Sequence, residues 1–110
     1  MNQRLDCYRL LVDVAKAMPC LISCMPRGEG YLADQLKRAL VSAILNLAEG
    51  NGRFSIKERN RFFDISLASI KEVMAAIDIS NAFGFLDTKS SQVLSDNLTK
   101  AFNMIRKLKK

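Results

Sequence analysis

The residues of this chain that are best suited to chemistry are basic, and four of them crowd into one short stretch. Between positions 46 and 63 the sequence reads NLAEGNGRFSIKERNRFF, which contains Arg53, Lys57, Arg59 and Arg61. Lys57 and Arg61 are four residues apart, a spacing that places two side chains on one face of a helix. Positive charges at such spacing suit phosphate groups, which are bound without any reading of bases. The alternative is a helix start whose basic side chains are only solvated.

A second basic region ends the chain. The formal net charge is +6, and residues 85–110 carry six basic against two acidic side chains. A basic tail attracts polyanions, nucleic acid above all, although Lys and Arg in a last helical turn also offset the helix dipole.

A basic first turn, as in residues 53–61, opposes the helix dipole, which favours a functional explanation for its charges. Arg38 has a structural alternative, an ion pair with Glu49 between or within subunits. The further candidates for nucleic-acid binding are Lys37, Arg38, Arg106 and Lys107.

The acidic residues do not form a convincing catalytic or metal-binding set. The chain has no histidine, so the commonest general base is missing and so is the Glu-x-x-His motif of di-metal bundles. Glu49 lies at a predicted helix end, and Glu58 is committed to capping. Asp64, Glu72 and Asp78 lie among basic neighbours. We therefore predict no catalytic residue, no metal site, no cofactor and no enzyme activity.

The three cysteines, Cys7, Cys20 and Cys24, form an odd set without a disulfide framework. Cys20 and Cys24 are four residues apart and would share a helix face, as a pair of metal ligands does, but only Cys7 is left to complete a site. The favoured interpretation is that all three cysteines are buried and act as small hydrophobic residues in a reducing compartment. The apolar N-terminal stretch shows neither a signal peptide nor a membrane span, so we expect a cytoplasmic protein.

Apolar residues recur at steps of three and four along most of the chain, which is the spacing of one helix face. Alternation with a period of two is not sustained anywhere, so no sheet is expected. Short connections between long helices make neighbours antiparallel. We predict an all-α fold, an antiparallel up-down-up-down four-helix bundle that is oligomeric, in a single domain over residues 1–110. The predicted helices span residues 3–24, 29–49, 55–83 and 88–108.

The stretch around the basic residues is predicted to stop one helix and start the next. Gly50, Asn51 and Gly52 tolerate the positive φ that ends a helix and turns the chain. Ser55 and Glu58 match the S-x-x-E capping box, in which each side chain bonds the backbone N–H of the other residue. The spacing of a Walker phosphate loop is absent, and no strand precedes the glycines as a dinucleotide-binding turn requires. The structural prediction is therefore a turn.

Two helices carry more apolar surface than a single bundle can bury. Residues 39–48 are apolar nearly all round, and on the third helix Ile65, Ile79 and Phe83 project almost opposite the main apolar seam. An apolar strip on the outside of a bundle usually marks an interface, although isolated exposed hydrophobic residues are also common. We expect a homo-oligomer that uses these three residues at its interface.

The block from residue 35 to 73 resembles a family of small bacterial four-helix-bundle proteins, some of them encoded in intervening sequences of large-subunit ribosomal RNA genes. The family is similar in turn to the accessory variability protein of diversity-generating retroelements. The chain departs from the family pattern at Lys37, where a second Arg is common, and at Arg59, where an aromatic residue is common. The segment GFLD, residues 84–87, also looks like the family's turn before its last helix. The matching residues are Gln35, Leu36, Arg38, Ala39, Ser42, Asn46, Ala48, Glu49, Gly50, Gly52, Arg53, Ser55, Glu58, Arg61 and Phe62.

This resemblance implies a bundle that assembles as a ring, with a homopentamer as the expected state. The retroelement relatives bind nucleic acid and a reverse transcriptase through basic surface, whereas most members of the family have no established activity. The leading hypothesis is a non-catalytic homo-oligomer that binds RNA or DNA, or acts as a scaffold, through its basic surface. A reverse transcriptase or another protein is a further expected partner.

Two other functions remain open from the sequence. The first is an oligomer that docks a protein partner through apolar helix surface without binding nucleic acid. The second is attachment to anionic lipid by the basic last helix, which ranks lowest because the apolar stripe of that helix is needed for the core. We therefore expect no membrane partner.

Overall fold

The chain folds into four helices joined by short connections. The computed structural model describes residues 2–110, and within that range it contains four helices and no strand. The helices are α1 (Gln3–Ser23), α2 (Gly30–Asn51), α3 (Ile56–Ala82) and α4 (Thr88–Leu108). Each bound lies within two residues of the range read from the sequence, because caps and apolar periodicity act locally. The all-α prediction is confirmed.

Side-chain caps fix where three of the helices begin. Asn2, Ser55 and Asp87 have extended backbone, and each accepts a hydrogen bond from a backbone N–H of the first turn. Ser55 accepts from the N–H of Glu58 at 3.3 Å, which is one half of the predicted capping box. In the described chain the other half is not formed, because the Glu58 carboxylate lies toward the Arg53 guanidinium, 4.0 Å away.

Each helix turns one apolar stripe toward a common core. α1 packs against α2 and α4, and α3 packs against the same two helices. Burying one large aliphatic or aromatic side chain stabilises a fold by about 1.5–3 kcal/mol, so these stripes supply most of the driving force. The side chains that form them include Cys7, Leu11, Val14, Met18, Leu36, Leu40, Ala43, Leu47, Phe63, Ile70, Val73, Ile77, Leu94, Leu98, Ala101 and Ile105.

The closest packing between helices joins α2 to α3. Small polar side chains line this seam: the Ser66 hydroxyl donates to the Ala43 carbonyl at 2.7 Å, and the Ser42 and Ser69 hydroxyls share a hydrogen bond of 2.8 Å. Small side chains let the two backbones approach, and each buried hydroxyl keeps a partner, so its burial costs little. The α2–α3 seam is therefore close and polar at the same time.

Gly50 continues this seam and does not make the predicted turn. α2 runs through Gly50, and within the described chain positive φ occurs only at Gly28 and Gly84. The predicted positive φ at residues 50–52 is therefore wrong. A Cβ atom added at Gly50 would lie 2.6 Å from the ring of Phe63, which is itself buried. Glycine is needed here because two helices meet, since any side chain would collide with a confined ring.

Replacing Gly50 by alanine is expected to lower the free energy of unfolding by about 1–3 kcal/mol. The new methyl group must displace the Phe63 ring or part α2 from α3, and urea unfolding followed by circular dichroism measures the cost. Gly52→Ala is the matched control, because a Cβ at Gly52 meets only carbonyl oxygens at 3.7 Å. That control should be as stable as the parent or slightly more so. Equal losses in both variants would contradict the packing role of Gly50.

The three cysteines lie in two different environments. Cys7 is fully buried, its thiol donates to the Arg4 carbonyl at 3.3 Å, and burial raises its pKa to about 11. Cys20 and Cys24 are exposed, so the prediction of three buried cysteines is wrong for these two. Cys20 precedes Leu21 and lies on the flank of the buried stripe of α1, whereas Cys24 is the C-cap residue just beyond the end of that helix.

Thiol titration of the native protein is expected to show two thiols that react at once and a third, Cys7, that reacts only on unfolding. A Cys20→Ser, Cys24→Ser variant should lack the fast phase, and three equally fast thiols would contradict the assignment.

The free energy of unfolding should also depend on pH through Cys7. Its raised pKa means that the unfolded thiol ionises first, so this contribution is complete below about pH 9 and is lost between pH 9 and about 11. That part of the decline should disappear in Cys7→Ala.

Candidate nucleic-acid interface

The fold brings the basic turn and the basic tail to the same end of the molecule. Asn60, near the start of α3, donates its side-chain amide to the Lys110 carbonyl at 3.0 Å and accepts the Lys110 N–H at 3.3 Å. One turn further along α3, the Asp64 carboxylate pairs with the ammonium group of Lys109. These contacts tie the end of α4 to the start of α3, so two regions that are separate in the sequence form one surface.

The start of α1 lies at this end as well. Residues 2–4 share an open depression of about 540 Å³ with Lys107 and neighbouring residues of the tail. We call the whole region, residues 2–6, 49–64 and 106–110, the basic end. It holds nine Lys and Arg against four Asp and Glu, whereas the remainder of the chain holds eight against seven. Five of the six net positive charges therefore belong to the basic end.

Arg53 is held in place by neighbouring side chains. Its guanidinium lies 3.0 Å from the Glu49 carboxylate and 4.0 Å from that of Glu58, and its central carbon is 5.0 Å from the centroid of the Phe62 ring. Within one chain Glu49 thus pairs with Arg53 and not with Arg38. An Arg38–Glu49 pair between subunits, the other form of the alternative considered from the sequence, stays a prediction. The ion pairs are too exposed to add much stability. Their effect is to fix Arg53 and offset its charge.

Phe62 lies close to two guanidinium groups. Arg61 is 5.5 Å from the ring centroid, close to the 5.0 Å of Arg53. Cations within about 6 Å of a ring face are attracted by its quadrupole, so the ring orients both arginines at the surface. Phe62 is itself half-buried, as expected for a ring with a packing role. The start of α3 therefore presents ordered positive groups.

Most other cations of the basic end lack an anionic partner. Among the described residues no carboxylate oxygen lies within 4.0 Å of Lys57, Arg59, Arg61, Arg106 or Lys107. Lys57 and Arg61 both line an open depression of about 900 Å³, whereas Arg59 is half-buried. Unpaired cations at this density hold counterions from solution, and a polyanion that displaces those ions gains free energy from their release.

Lys37 and Arg38 are not part of the basic end. Both lie in the first half of α2, and Gly50 is twelve residue steps beyond Arg38, which corresponds to about 18 Å of helix. Lys37 borders an apolar groove between α1 and α2, beside Pro19 and Val41. The structure therefore gathers six of the eight predicted nucleic-acid-binding residues at one end and leaves these two elsewhere.

The residues predicted to form an oligomer interface are exposed. Ile65, Ile79 and Phe83 on α3 have exposed fractions of 38%, 44% and 55%. Val41 and Leu45 of α2 are exposed as well, at 54% and 61%. α2 packs alongside α3, so adjacent helices both present apolar side chains to their surroundings.

Sequence reasoning named the basic turn and the basic tail but missed that they converge. It also missed Arg4, Lys109 and Lys110, which the fold adds to the basic end. The order of the helices along the chain could have predicted this convergence. When four helices run up and down with short connections, the middle connection and both ends of the bundle sequence fall on the same side.

The described residues offer neither a metal centre nor a membrane span. Within residues 2–110 no three His, Cys, Asp or Glu side chains gather closely enough to hold a metal ion. None of the helices in that range is both long and apolar enough to cross a bilayer. The chemistry available at the basic end is that of fixed positive charge, which binds anions through ion pairs and charge-assisted hydrogen bonds.

Fold and surface together define an all-α, four-helix protein whose positive charge is gathered at one end. A family model described as 23S rRNA-intervening sequence protein matches residues 3–107. The chain belongs to this family, which confirms the resemblance drawn from residues 35–73. A search of curated protein sequences found no match. The relationship to the accessory variability protein of retroelements is carried by the resemblance alone and stays a prediction.

Proposed function

We propose that this protein is a non-catalytic homo-oligomer that binds nucleic acid through the basic end. The observation that carries the proposal is the concentration of five of the six net positive charges at one end of the molecule. Nucleic acid suits such a surface because each phosphate that is bound releases condensed counterions. The expected contacts are to backbone phosphates, which position a protein without specifying a base sequence.

An antiparallel, up-down-up-down order of the helices supports this gathering of charge. Along the α2–α3 seam, later residues of α2 meet earlier residues of α3: Ser42 pairs with Ser69, whereas Gly50 meets Phe63. Asn60 near the start of α3 likewise meets the end of α4. Neighbours that run in opposite directions carry the α2–α3 connection, the start of α1 and the end of α4 to one side.

The proposed role needs neither a cofactor nor a reaction. The chain has no histidine, the commonest general base, and most of the charged groups gathered at the basic end are Lys and Arg side chains. Binding or scaffolding is the role that such groups perform. Cys7, Cys20 and Cys24 are all unpaired, which suits a reducing compartment and supports a location in the cytoplasm.

Replacing four unpaired cations of the basic end by glutamine is expected to weaken the binding of a labelled RNA stem-loop about tenfold or more. The variant carries Lys57→Gln, Arg61→Gln, Arg106→Gln and Lys107→Gln. Up to four phosphate contacts would be lost, so the slope of log affinity against log salt concentration should also become shallower. Fluorescence anisotropy at several salt concentrations measures both effects.

A second variant with the same loss of charge is the matched control. Arg27, Lys37, Arg38 and Lys89 are exposed and lie outside the basic end, and their replacement by glutamine again removes two Lys and two Arg. This control should retain most of the affinity and the parent's salt slope. If the two variants weaken binding equally, net charge alone is responsible, and the basic end has no special role.

We further propose that Ile65, Ile79 and Phe83 form the interface between copies of this chain, and that the assembly is the pentamer implied by the resemblance. Support comes from their exposure on the outer face of α3, where apolar side chains gain by being covered. A closed ring would present several basic ends together. Linked sites bind one polyanion more tightly than separate sites do.

Light scattering on an eluting column is expected to give the parent protein a mass of about 60 kDa, five times the chain mass of 12.3 kDa. Ile79→Glu should shift the mass toward the single chain, because a buried carboxylate would lack a partner. Val93→Glu is the matched control, since Val93 on α4 is similarly exposed at 58%. A parent protein that elutes as a single chain at micromolar concentration would contradict the interface.

The second candidate is an oligomer that docks a protein and binds no nucleic acid. An apolar groove of about 500 Å³ between α1 and α2 favours it, lined by Met18, Ile22 and Leu40 among others. Such a groove suits the apolar face of a partner helix, and the partners that the resemblance suggests include a reverse transcriptase. Salt separates the two candidates, because phosphate binding weakens steeply with added salt whereas apolar docking does not.

A further inference from the structure

An aromatic ring stands fully in solvent at the tip of the basic end. Phe54 lies in the connection between α2 and α3, and 99% of its surface is exposed. The neighbouring Ile56 is also exposed, at 49%. A large ring so fully exposed forgoes the free energy of burial, and at a loop tip it is poised to contact a ligand.

Local sequence explains why this ring has no place in the fold. Ser55 is the N-cap of α3, so Phe54 occupies the position before the cap. An apolar residue at that position usually packs against the fourth residue of the helix, in the hydrophobic staple. The fourth residue here is Arg59, which offers the ring no apolar partner. The Phe54 ring therefore has no apolar partner on α3 and points into solvent.

Cations flank the exposed ring in the sequence. Arg53 precedes it and is fixed by Glu49 and Phe62, while Lys57 and Arg61 follow within two turns and have no carboxylate partner among the described residues. A ligand that complements this arrangement carries negative charge and flat apolar faces side by side. Unpaired nucleotides have both, because each phosphate is joined to a base whose face is free to stack.

We propose that Phe54 stacks on an unpaired base, so that the basic end prefers single-stranded or looped nucleic acid to continuous duplex. This inference rests on the proposed function and names its substrate class. In a continuous duplex the base faces are already stacked on each other, and the ring finds no surface to cover. In a single strand the cations hold the phosphates while the ring covers a base, which is how sequence-tolerant single-strand binding is built.

The absence of tryptophan from the chain allows a direct test. Phe54→Trp introduces a single fluorescent reporter at the tip, and a base that stacks on it will quench its emission. The protein is titrated with a single-stranded RNA of about 20 nucleotides, a length chosen to exceed one binding site, and with the duplex of the same sequence. We expect quenching by the single strand at lower concentration than by the duplex.

Phe54→Ala measures how much the ring contributes. Loss of one stacked base should weaken single-strand binding about tenfold and leave duplex binding unchanged. Tyr31→Ala is the matched control, because Tyr31 is an exposed aromatic residue, at 62%, outside the basic end, and its loss should change neither affinity. Phe54 makes no buried contact, so a melting curve equal to the parent's confirms that the variant folds.

Several results would overturn the inference, and they differ from failure of the proposed function. If the parent binds single strand and duplex equally, and Phe54→Ala changes neither affinity, the stacking role is removed and the phosphate-binding function stands. A blue-shifted emission of Phe54→Trp that depends on protein concentration assigns the ring to self-association. A shift caused by anionic vesicles and not by RNA assigns it to lipid. If neither RNA form binds the parent protein, both proposals fall.

Discussion

The position of the basic end depends on how closely α2 approaches α3. Gly50 offers no side chain to the ring of Phe63, so the two backbones come together just before the chain turns. Arg53 is three residues beyond Gly50, and Phe62 is next to Phe63. The contact that closes the seam therefore lies beside the one in which the Arg53 guanidinium carbon is 5.0 Å from the centroid of the Phe62 ring. The order of the side chains on the basic end thus begins with packing in the buried seam between α2 and α3.

Sequence reasoning succeeded where structure is decided by neighbours along the chain. The predicted cap at Ser55 accepts a hydrogen bond from a backbone N–H of its own first turn, and the apolar stripes follow from helical spacing alone. The exposure of Ile65, Ile79 and Phe83 was predicted for the same reason, because their angles around α3 oppose the main seam. These features need no knowledge of what lies on the neighbouring helix.

Sequence reasoning failed where a partner distant in the chain decides the outcome. Gly50 looks like a turn residue until Phe63 is placed opposite it, since glycine serves both tight turns and close helix contacts. Cys20 and Cys24 were judged by residue type, whereas Cys20 lies on the flank of the buried stripe of α1 and Cys24 lies at the C-cap of that helix. The basic tail was judged as one helix end, and its contacts with Asn60 and Asp64, which lie far away in the sequence, join it to the start of α3.

The described chain is longer than it is wide, with extents of 44 × 25 × 19 Å, and its excess charge sits on one short side. Such a body has an electric dipole along its length, so under the proposed function the field of a polyanion would turn it before contact and bring it in tip first. Each copy would then stand upright on the strand and occupy only its narrow cross-section. The long flanks would stay clear of the strand and be free to meet adjacent copies.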